Sequence, residues 1–313
     1  HGYRPKAFVR SPLMLPNFII GGGVASGTSF LSAALAHHPE IYLPREQRPE
    51  PNFFHYSAKH DKGADWYQAT WFAGVNGHKV VIDRSSLYLT SGVAARRMKK
   101  LLSDVKLIFC LRNPIERAYA NYRFSVLEGL EPLSFDEAIE TEPARMRAAV
   151  GRWAEVQPHA YLTRSRYASH LDEYFRLFGR RNVLLLKSED LGRKPHEHIR
   201  RVLEFMGVNP DVELPLPPNY SSPTVLDRIL QTQLRSRIGG RFSEIIEHIR
   251  KEESLDGIAG SDASERDIEE LRGNLGTGKE PLPAHSRHRL RELLADDIAR
   301  TAALVDFPTE DWI

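Results

Sequence analysis

The chain has 313 residues, of which 41% are hydrophobic and 27% are charged. This composition supplies enough apolar side chains for a buried core, so it excludes a mainly disordered chain, and the length fits one domain with insertions or at most two. Lys and Arg number 43 against 41 Asp and Glu, and the net charge of +2 argues against bulk nucleic-acid binding while allowing a local basic pocket for a small anion.

Neither a membrane span nor a disulfide is expected. The apolar run at residues 13–20 is interrupted by Pro16, and the run at 105–111 is shorter than the roughly 18 apolar residues that cross a bilayer. Cys110 is the only cysteine, so no internal disulfide can form, which is typical of a reducing compartment. The chain opens without a hydrophobic signal segment. We therefore expect a soluble, cytoplasmic protein.

Short apolar runs alternate with amphipathic stretches over the first two thirds of the chain. In chain order, strands are predicted at residues 17–21, 41–43, 79–83, 105–111 and 182–186. Helices are predicted at residues 28–36, 64–72, 90–102, 114–127, 166–178 and 196–206. Strands that alternate with helices predict an α/β fold, a three-layer sandwich with a mainly parallel central sheet.

The last third of the chain has a different character. Residues 214–223 are rich in proline and include one asparagine, and residues 224–272 are polar and helical, without a strand signal. A final amphipathic helix is predicted at residues 283–304. We expect one domain over residues 1–313, with residues 224–272 as a helical insertion or lid within it.

A glycine-rich loop separates the first predicted strand from the first predicted helix. It runs from Gly22 to Ser29 and places two glycines at the spacing of a phosphate-binding loop. Backbone N–H groups of such a loop converge on an anion, and the helix dipole adds partial positive charge. Thr28 stands where a nucleotide triphosphatase needs lysine, so we expect the loop to hold a phosphate other than that of ATP. A turn that serves only the strand-to-helix geometry is the alternative.

An acidic residue precedes two aromatic residues in the polar stretch that follows. Glu50 lies just before Phe53 and Phe54, and a carboxylate beside aromatic rings is partly desolvated, which raises its pKa toward useful basicity. His55 is a second candidate base. In the alternative interpretation the two phenylalanines are core residues and Glu50 is a solvated loop charge.

Two arginines follow predicted strands. Arg84 and Arg112 lie just beyond strand ends, where open α/β sheets bind ligands, and a guanidinium can make paired hydrogen bonds to a phosphate. Arg84 can instead pair with Asp83 or another nearby acid. Asp83 also resembles the Mg²⁺-binding acid of a nucleotide hydrolase, which leaves a phosphotransferase open. We expect Arg117, one helical turn after Pro114, to hold its helix against neighbouring elements.

These motifs resemble those of sulfotransferases that use 3′-phosphoadenosine 5′-phosphosulfate (PAPS), in particular their carbohydrate-type and bacterial branch. The resemblance rests on residues 18–29, 50–54, 82–88 and 106–122. It implies a P-loop-like fold and a loop that holds the 5′-phosphosulfate of PAPS. The residues of that loop are Gly23, Val24, Ala25, Ser26, Gly27, Thr28 and Ser29.

The resemblance also assigns roles to single residues. Glu50 is the general base that deprotonates a hydroxyl or amine of the acceptor, Arg84 lies beside the reacting oxygen, and Arg112 binds the 3′-phosphate. We expect three further residues near the acceptor: Arg48, His55 and Tyr167. The position of Tyr167 on an apolar helix face also fits core packing. The acceptor is a sugar or a small natural product, no metal is required, and no nucleic-acid partner is expected.

The chain departs from the family pattern at a few positions. Ala25 stands where the family has a lysine, Ala120 where it has a serine, and Asn52 where histidine is common. Two alternatives therefore stay open beside a PAPS-dependent sulfotransferase. One is a phosphotransferase that uses ATP-Mg with Asp83 as the metal ligand, and the other is a sulfotransferase-like protein repurposed for binding.

Overall fold

The computed structural model describes residues 14–44, 49–218, 223–251, 263–278 and 280–312. The strands are β1 Phe18–Gly22, β2 Ile41–Tyr42, β3 Val80–Arg84, β4 Lys106–Leu111, β5 Val183–Lys187, β6 Thr224–Val225 and β7 Leu275–Gly276. The helices are α1 Thr28–Leu35, α2 Ser57–His60, α3 Gly63–Trp71, α4 Gly92–Leu101, α5 Pro114–Leu127, α6 Phe135–Ala148, α7 Arg152–Val156, α8 Ala168–Phe178, α9 Ser188–Arg193, α10 Pro195–Met206, α11 Arg228–Ile238, α12 Phe242–Lys251, α13 Glu265–Gly273 and α14 Ala284–Ala302.

A parallel five-stranded sheet in the order β2-β3-β1-β4-β5 forms the centre of the fold. Its strands are short apolar runs because both faces of the sheet are covered by helices. Alternate residues of β4 therefore enter two different cores: Leu107 and Phe109 pack in one, and Ile108 and Cys110 in the other. This arrangement confirms the predicted three-layer α/β fold.

The predicted strands and helices of residues 17–206 are present, with boundaries displaced by one or two residues. Two features differ from the prediction. Helices α2, α6, α7 and α9 were not predicted; α2, α7 and α9 have six residues or fewer, and α6 contains Pro143. Residues 224–272 carry a strand after all, since Thr224–Val225 pairs antiparallel with Leu275–Gly276. A two-residue strand is too short to give a hydrophobic period that a sequence can reveal.

The described residues of the predicted insertion pack against the C-terminal end of α5. Gln231 Nε2 donates to the Leu127 carbonyl at 2.7 Å, and Arg235 Nη1 donates to the Glu128 carbonyl at 2.6 Å. Gly129 has φ +63°, and a Cβ there would lie 2.7 Å from the Gln231 carbonyl oxygen, so glycine is required at this contact. Since α5 has 14 residues, the contact lies roughly 20 Å from the start of that helix. The lid role of the segment stays a prediction.

The last described residues return to the sheet. Lys187 at the end of β5 forms an ion pair with Asp311, Nζ to Oδ1, at 2.7 Å. Asn113 Nδ2 donates to the Asp311 carbonyl at 3.0 Å, and Trp312 is fully buried. These contacts fix the start of α5, whose N-cap, Asn113, directly follows Arg112. Among the described residues, no helix combines the length and the apolar character that a membrane span needs.

Candidate active site

Three elements of the predicted site meet at one edge of the sheet, at the carboxyl ends of β1, β3 and β4. The glycine loop follows β1, Arg84 ends β3, and Arg112 directly follows β4. The Gly23 N–H donates to the Cys110 carbonyl at 2.7 Å and so attaches the loop to the end of β4. This edge is where open α/β sheets bind their ligands.

The glycine loop has a backbone conformation that constrains its sequence. Gly22 has φ +141°, and a Cβ there would lie 2.7 Å from the Ser86 carbonyl oxygen, so a side chain would collide with the turn after β3. Gly27 has φ +85° just before α1. Ala25 has φ +61°, a left-handed conformation that costs a non-glycine residue on the order of 1 kcal/mol. Such local strain is frequent in turns that bind ligands.

The loop offers fewer free amides than the sequence predicts. The N–H groups of Gly23 and Ser26 donate to Cys110 and Gly23 carbonyls, at 2.7 and 3.2 Å, so they do not face an anion. The first bond within α1 runs from the Leu31 N–H to the Gly27 carbonyl at 3.1 Å. The amides of Thr28 and the two residues that follow it therefore have no acceptor within the helix. The phosphate-facing donors lie at the start of α1, together with the exposed side chain of Ser29.

Ser26 and Tyr167 form a buried support beneath the loop. Ser26 is fully buried and its hydroxyl donates to the Val24 carbonyl at 3.4 Å, within the loop itself. A contact of Ser26 with the cofactor stays a prediction. Tyr167 is also fully buried, and its hydroxyl donates to the Arg112 carbonyl at 3.0 Å. Burial raises the pKa of Tyr167 to about 12. Tyr167 therefore positions Arg112 from the core, and its predicted place in the acceptor cleft is not observed.

Arg112 is half-buried and turns toward the glycine loop. Its Nη1 donates to the Ala25 carbonyl at 3.1 Å. The following residue, Asn113, caps α5 by accepting from the Ile115 N–H at 3.0 Å, and Pro114 occupies the first helical position, which suits proline. The guanidinium and the loop therefore lie on the same side of the site. As predicted, Arg117 is fully buried within the fold and donates to Ser165 and Asn121.

Glu50 lies at the same edge of the sheet, in an ion pair with Arg84. Arg84 Nη1 contacts Glu50 Oε1 at 2.5 Å, and the exposed fractions of the two side chains are 4% and 15%. The Ser86 N–H and hydroxyl each donate to Glu50 Oε2 at 2.9 Å, and Asn52 Nδ2 donates to Oε2 at 3.3 Å. The Glu50 carboxylate is therefore held in one orientation by several donors.

Arg84 also connects Glu50 to the phosphate loop. The same Nη1 atom that binds Glu50 lies 3.4 Å from the Ser29 hydroxyl, in the first turn of α1. The candidate base and the candidate phosphate site thus meet at one guanidinium nitrogen. A cation between a base and an anion site can stabilise negative charge that develops there.

Asp83, the residue before Arg84, lies beneath this ion pair. It is fully buried, and its two oxygens accept from the hydroxyls of Ser85 at 2.6 Å, of Tyr88 at 2.9 Å and of Tyr67. Burial raises the pKa of Asp83 to about 6, against the opposing effect of those hydroxyl donors. Because both oxygens are engaged and shielded, Asp83 does not fit the role of a Mg²⁺ ligand.

The aromatic residues after Glu50 are core residues, as the alternative interpretation held. Phe53 and Phe54 are buried, and Phe53 stacks on Tyr67 with ring centroids 4.1 Å apart. Glu50 itself is not a freely solvated loop charge, since it pairs with Arg84. Both parts of the motif therefore have a function, one in packing and the other at the site.

Two further residues, Arg48 and His55, were predicted near the acceptor. Arg48 lies outside the described residues. His55 is half-buried, and its Nε2 lies 2.8 Å from the carbonyl oxygen of Glu155 on α7. Burial holds the pKa of His55 below its ordinary value, against the opposing effect of the Glu155 carbonyl. A contact of His55 with the acceptor stays a prediction.

Sequence analysis missed two residues that hold the segment around Glu50. Ser86 binds the Glu50 carboxylate through both its N–H and its hydroxyl. Lys59 Nζ donates to the carbonyls of Glu50 and Pro51 at 3.0 and 2.6 Å. The signal for Ser86 was the polar run that directly follows the buried strand β3. No signal in the sequence pointed to Lys59.

Comparison with known proteins gives the family. The sulfotransferase domain family matches residues 15–232, more than two thirds of the chain. The chain belongs to this family. The family assignment confirms the resemblance drawn from the motifs and the enzyme class that the resemblance implies. The matched residues end within α11, so most of the predicted insertion lies beyond the match.

Similar sulfotransferases include two human proteins. Heparan sulfate glucosamine 3-O-sulfotransferase 3B1 is 28% identical over 194 residues, 62% of this chain and 46% of that protein. Bifunctional heparan sulfate N-deacetylase/N-sulfotransferase 2 is 26% identical over 206 residues, 63% of this chain and 22% of that protein. The chain thus spans less than half the length of either relative.

A solved structure shares the fold. The crystal structure of a sulfotransferase from Alicyclobacillus acidocaldarius matches with a TM-score of 0.67 and 24% identity. The match covers 95% of this chain and 98% of that one, so it extends beyond the residues matched by the family. At this identity the likeness concerns the fold.

Proposed function

We propose that this sulfotransferase moves a sulfuryl group from PAPS to a hydroxyl or amine of a saccharide or small natural product. The observation that carries the proposal is the position of Arg84 Nη1, which contacts the Glu50 carboxylate at 2.5 Å and the Ser29 hydroxyl at 3.4 Å. A base, a cation and an anion-binding helix start lie within reach of one another. In-line transfer between a bound donor and a bound acceptor needs these groups in such an arrangement.

The residues present fit a nucleotide with two separate phosphate groups. The free amides at the start of α1, from Thr28 onward, would hold the 5′-phosphosulfate, and the partial charge of the helix end favours an anion there. The Arg112 guanidinium, next to the Ala25 carbonyl, would bind the 3′-phosphate. When bound, PAPS supplies an activated sulfuryl group whose leaving group is the 5′-phosphate of adenosine 3′,5′-bisphosphate.

Glu50 is the proposed general base. Its Oε2 receives donor contacts from the Ser86 N–H, the Ser86 hydroxyl and Asn52, and its Oε1 contacts Arg84 at 2.5 Å. Each carboxylate oxygen has two lone pairs, so the proton that leaves the acceptor hydroxyl or amine would take the place of one of these contacts. Ser86 and Asn52 hold the carboxylate in place for that step.

Arg84 is proposed to supply the positive charge that Ala25 does not. The guanidinium lies beside both the base and the first turn of α1, so it can stabilise negative charge on either group. Its side chain is 4% exposed, and a charge shielded from water acts more strongly on its neighbours.

The phosphotransferase alternative is less well supported. Thr28 replaces the lysine that such enzymes need, and the shielded carboxylate of Asp83 does not suit a metal ion. The second alternative, a sulfotransferase-like binding protein, would bind the same nucleotide but would not catalyse sulfuryl transfer. The saccharide acceptor is proposed because relatives carry heparan sulfate in their names. The cytoplasmic location stays a prediction.

Calorimetry with three ligands tests the proposal. Adenosine 3′,5′-bisphosphate, ATP-Mg and AMP are titrated into the wild-type chain, followed by turnover of PAPS with heparan sulfate oligosaccharides. The proposal predicts the tightest binding for the bisphosphate, together with turnover. Tighter binding of ATP-Mg would support the phosphotransferase, and bisphosphate binding without turnover on any acceptor would support the binding protein.

A further inference from the structure

A fully buried carboxylate lies behind the Glu50–Arg84 ion pair. Asp83 ends its strand with 0% exposure and accepts hydrogen bonds from three hydroxyl groups. The proposed transfer step does not use it. Among the described residues, Asp83 forms no ion pair, and a buried charge that is held by hydroxyl groups alone is costly, so its presence needs an explanation.

Two of those hydroxyls connect Asp83 to the segment that carries Glu50. Ser85 Oγ donates to Asp83 Oδ1 at 2.6 Å and accepts from the Asn52 N–H at 2.8 Å. The Tyr88 hydroxyl donates to Asp83 Oδ2 at 2.9 Å and accepts from the Phe54 N–H at 3.3 Å. Each hydroxyl has one proton, and the carboxylate receives it. The hydroxyl oxygens are therefore left as acceptors for the backbone of residues 52–54.

The same turn also holds the side chain of Glu50. Arg84 and Ser86, on either side of Ser85, bind the Glu50 carboxylate. Residues 83–88 thus fix the segment twice, through its backbone from Ser85 and Tyr88 and through its carboxylate from Arg84 and Ser86. Asp83 is the one group that sets the direction of both backbone contacts.

We propose that Asp83 is a positioning residue for the general base: through the hydroxyls of Ser85 and Tyr88, it fixes the backbone of residues 52–54 and thereby the place of Glu50. This inference rests on the proposed role of Glu50. It assigns to Asp83 no contact with donor or acceptor, and it explains why a carboxylate is buried where an apolar residue would pack at lower cost.

The chain offers a matched control in the third hydroxyl. Tyr67 also donates to Asp83 Oδ2, but it lies on α3 and passes no hydrogen bond to residues 52–54. The substitution Tyr67→Phe removes one hydrogen bond from the same carboxylate and keeps the ring that stacks on Phe53. Ser85→Ala and Tyr88→Phe remove one hydrogen bond from Asp83 and the link to the backbone as well.

The test compares these three variants with the wild type. We measure kcat for transfer from PAPS to a heparan sulfate oligosaccharide, Kd for adenosine 3′,5′-bisphosphate, Tm, and amide hydrogen exchange of residues 50–54. We expect Ser85→Ala and Tyr88→Phe to lower kcat about tenfold or more, since small displacements of a reacting group are costly. Exchange at residues 50–54 should become faster in both, with Kd changed less than about twofold. Tyr67→Phe should lower Tm similarly but leave kcat and exchange near the wild-type values.

Two results would overturn the inference. In the first, kcat and the protection of residues 50–54 from hydrogen exchange fall in all three variants in proportion to the fall in Tm. A purely structural role of Asp83 predicts this result. The other is unchanged exchange of residues 50–54 in Ser85→Ala and Tyr88→Phe. If the wild type itself shows no transfer, the proposed function fails, and the exchange data alone still decide whether Asp83 fixes the segment. Asp83→Asn tests the carboxylate itself. If Asp83→Asn does not fold, the kcat and the hydrogen exchange of Ser85→Ala decide whether Asp83 positions Glu50.

Discussion

Two halves of the candidate site meet at Arg84 and are built differently. The donor side, residues 22–29 with Arg112, presents main-chain N–H groups at the start of α1 and one guanidinium that bonds to the Ala25 carbonyl. The acceptor side, Glu50 with Arg84 and Ser86 above Asp83, consists mainly of charged and hydroxyl side chains. A substitution leaves the N–H groups of the main chain in place, whereas a hydrogen-bond network of side chains is lost in part when any one of its residues is replaced. This difference fits the presence of Ala25 in the donor side, at a position where the resembled family has a lysine.

The largest effect is expected on the acceptor side, from Glu50→Gln. The variant keeps the shape of the side chain but removes the proton acceptor, so turnover should fall by about 10²–10⁴-fold. The Kd of adenosine 3′,5′-bisphosphate should stay within about twofold of the wild-type value, because the donor side is unchanged. Single-turnover transfer from PAPS and calorimetry measure the two quantities. Glu140→Gln, on an exposed position of α6, is the control. Near-normal turnover in Glu50→Gln would remove Glu50 from the mechanism.

The acceptor side should also make stability depend on pH. Burial raises the pKa of Asp83 from 3.8 to about 6, so the folded protein binds an extra proton between these pH values. The stability linked to this proton is present below about pH 4 and is lost as pH rises through 6, by an amount on the order of 3 kcal/mol. Glu50, Tyr67, Tyr88 and Lys59 contribute to the electrostatic environment of Asp83.

Urea unfolding of wild type and Asp83→Asn between pH 4 and pH 7 checks this dependence. The other titratable groups of the chain contribute equally to the pH dependence of both proteins. Their contributions therefore cancel in the difference between the two unfolding free energies. The wild type should lose stability relative to the variant as pH rises. Parallel pH profiles would show that Asp83 keeps its ordinary pKa in the folded protein.

On the donor side, Arg112→Ala should weaken binding of adenosine 3′,5′-bisphosphate about 10–100-fold, since hydrogen bonds to charged groups contribute about 1.5–3 kcal/mol. AMP, which has no 3′-phosphate, should bind both proteins alike. Arg112→Lys keeps the charge but loses the planar pair of donors, so it should give an intermediate affinity. An equal loss of affinity for AMP would mean that Arg112 supports the glycine loop rather than the 3′-phosphate.

The smallest effect is a gain on the donor side, from Ala120→Ser. The serine restores a hydroxyl that the family has near the 3′-phosphate, and one hydrogen bond contributes about 1 kcal/mol, or roughly fivefold in Kd. Calorimetry with the bisphosphate measures this gain, and Ala144→Ser at an exposed position of α6 is the matched control. Unchanged affinity in Ala120→Ser would indicate that the 3′-phosphate lies away from this part of α5.

The sequence predicted the main residues of both sides of the site, but not the contacts that hold them. The strands were predictable because buried parallel strands are continuous apolar runs, and Arg84 and Arg112 were predictable because they come at the ends of such runs. Glu50 was predictable because an acidic residue stands just before two aromatic residues. Ser86 as a partner of Glu50 was not, since that contact joins residues 36 positions apart. The bonds that engage the amides of Gly23 and Ser26 depend on loop conformation, which a spacing of glycines does not specify.

The central claim is that one doubly phosphorylated nucleotide joins the start of α1 to Arg112, with Glu50 and Arg84 at its reactive end. A crystal structure with adenosine 3′,5′-bisphosphate tests it most directly. The account predicts the 5′-phosphate on the amides of Thr28 and Ser29, the 3′-phosphate on the Arg112 guanidinium, and Arg84 near the 5′-phosphate oxygens. A nucleotide bound with its 5′-phosphate away from α1, or with Arg112 turned from the 3′-phosphate, would contradict it.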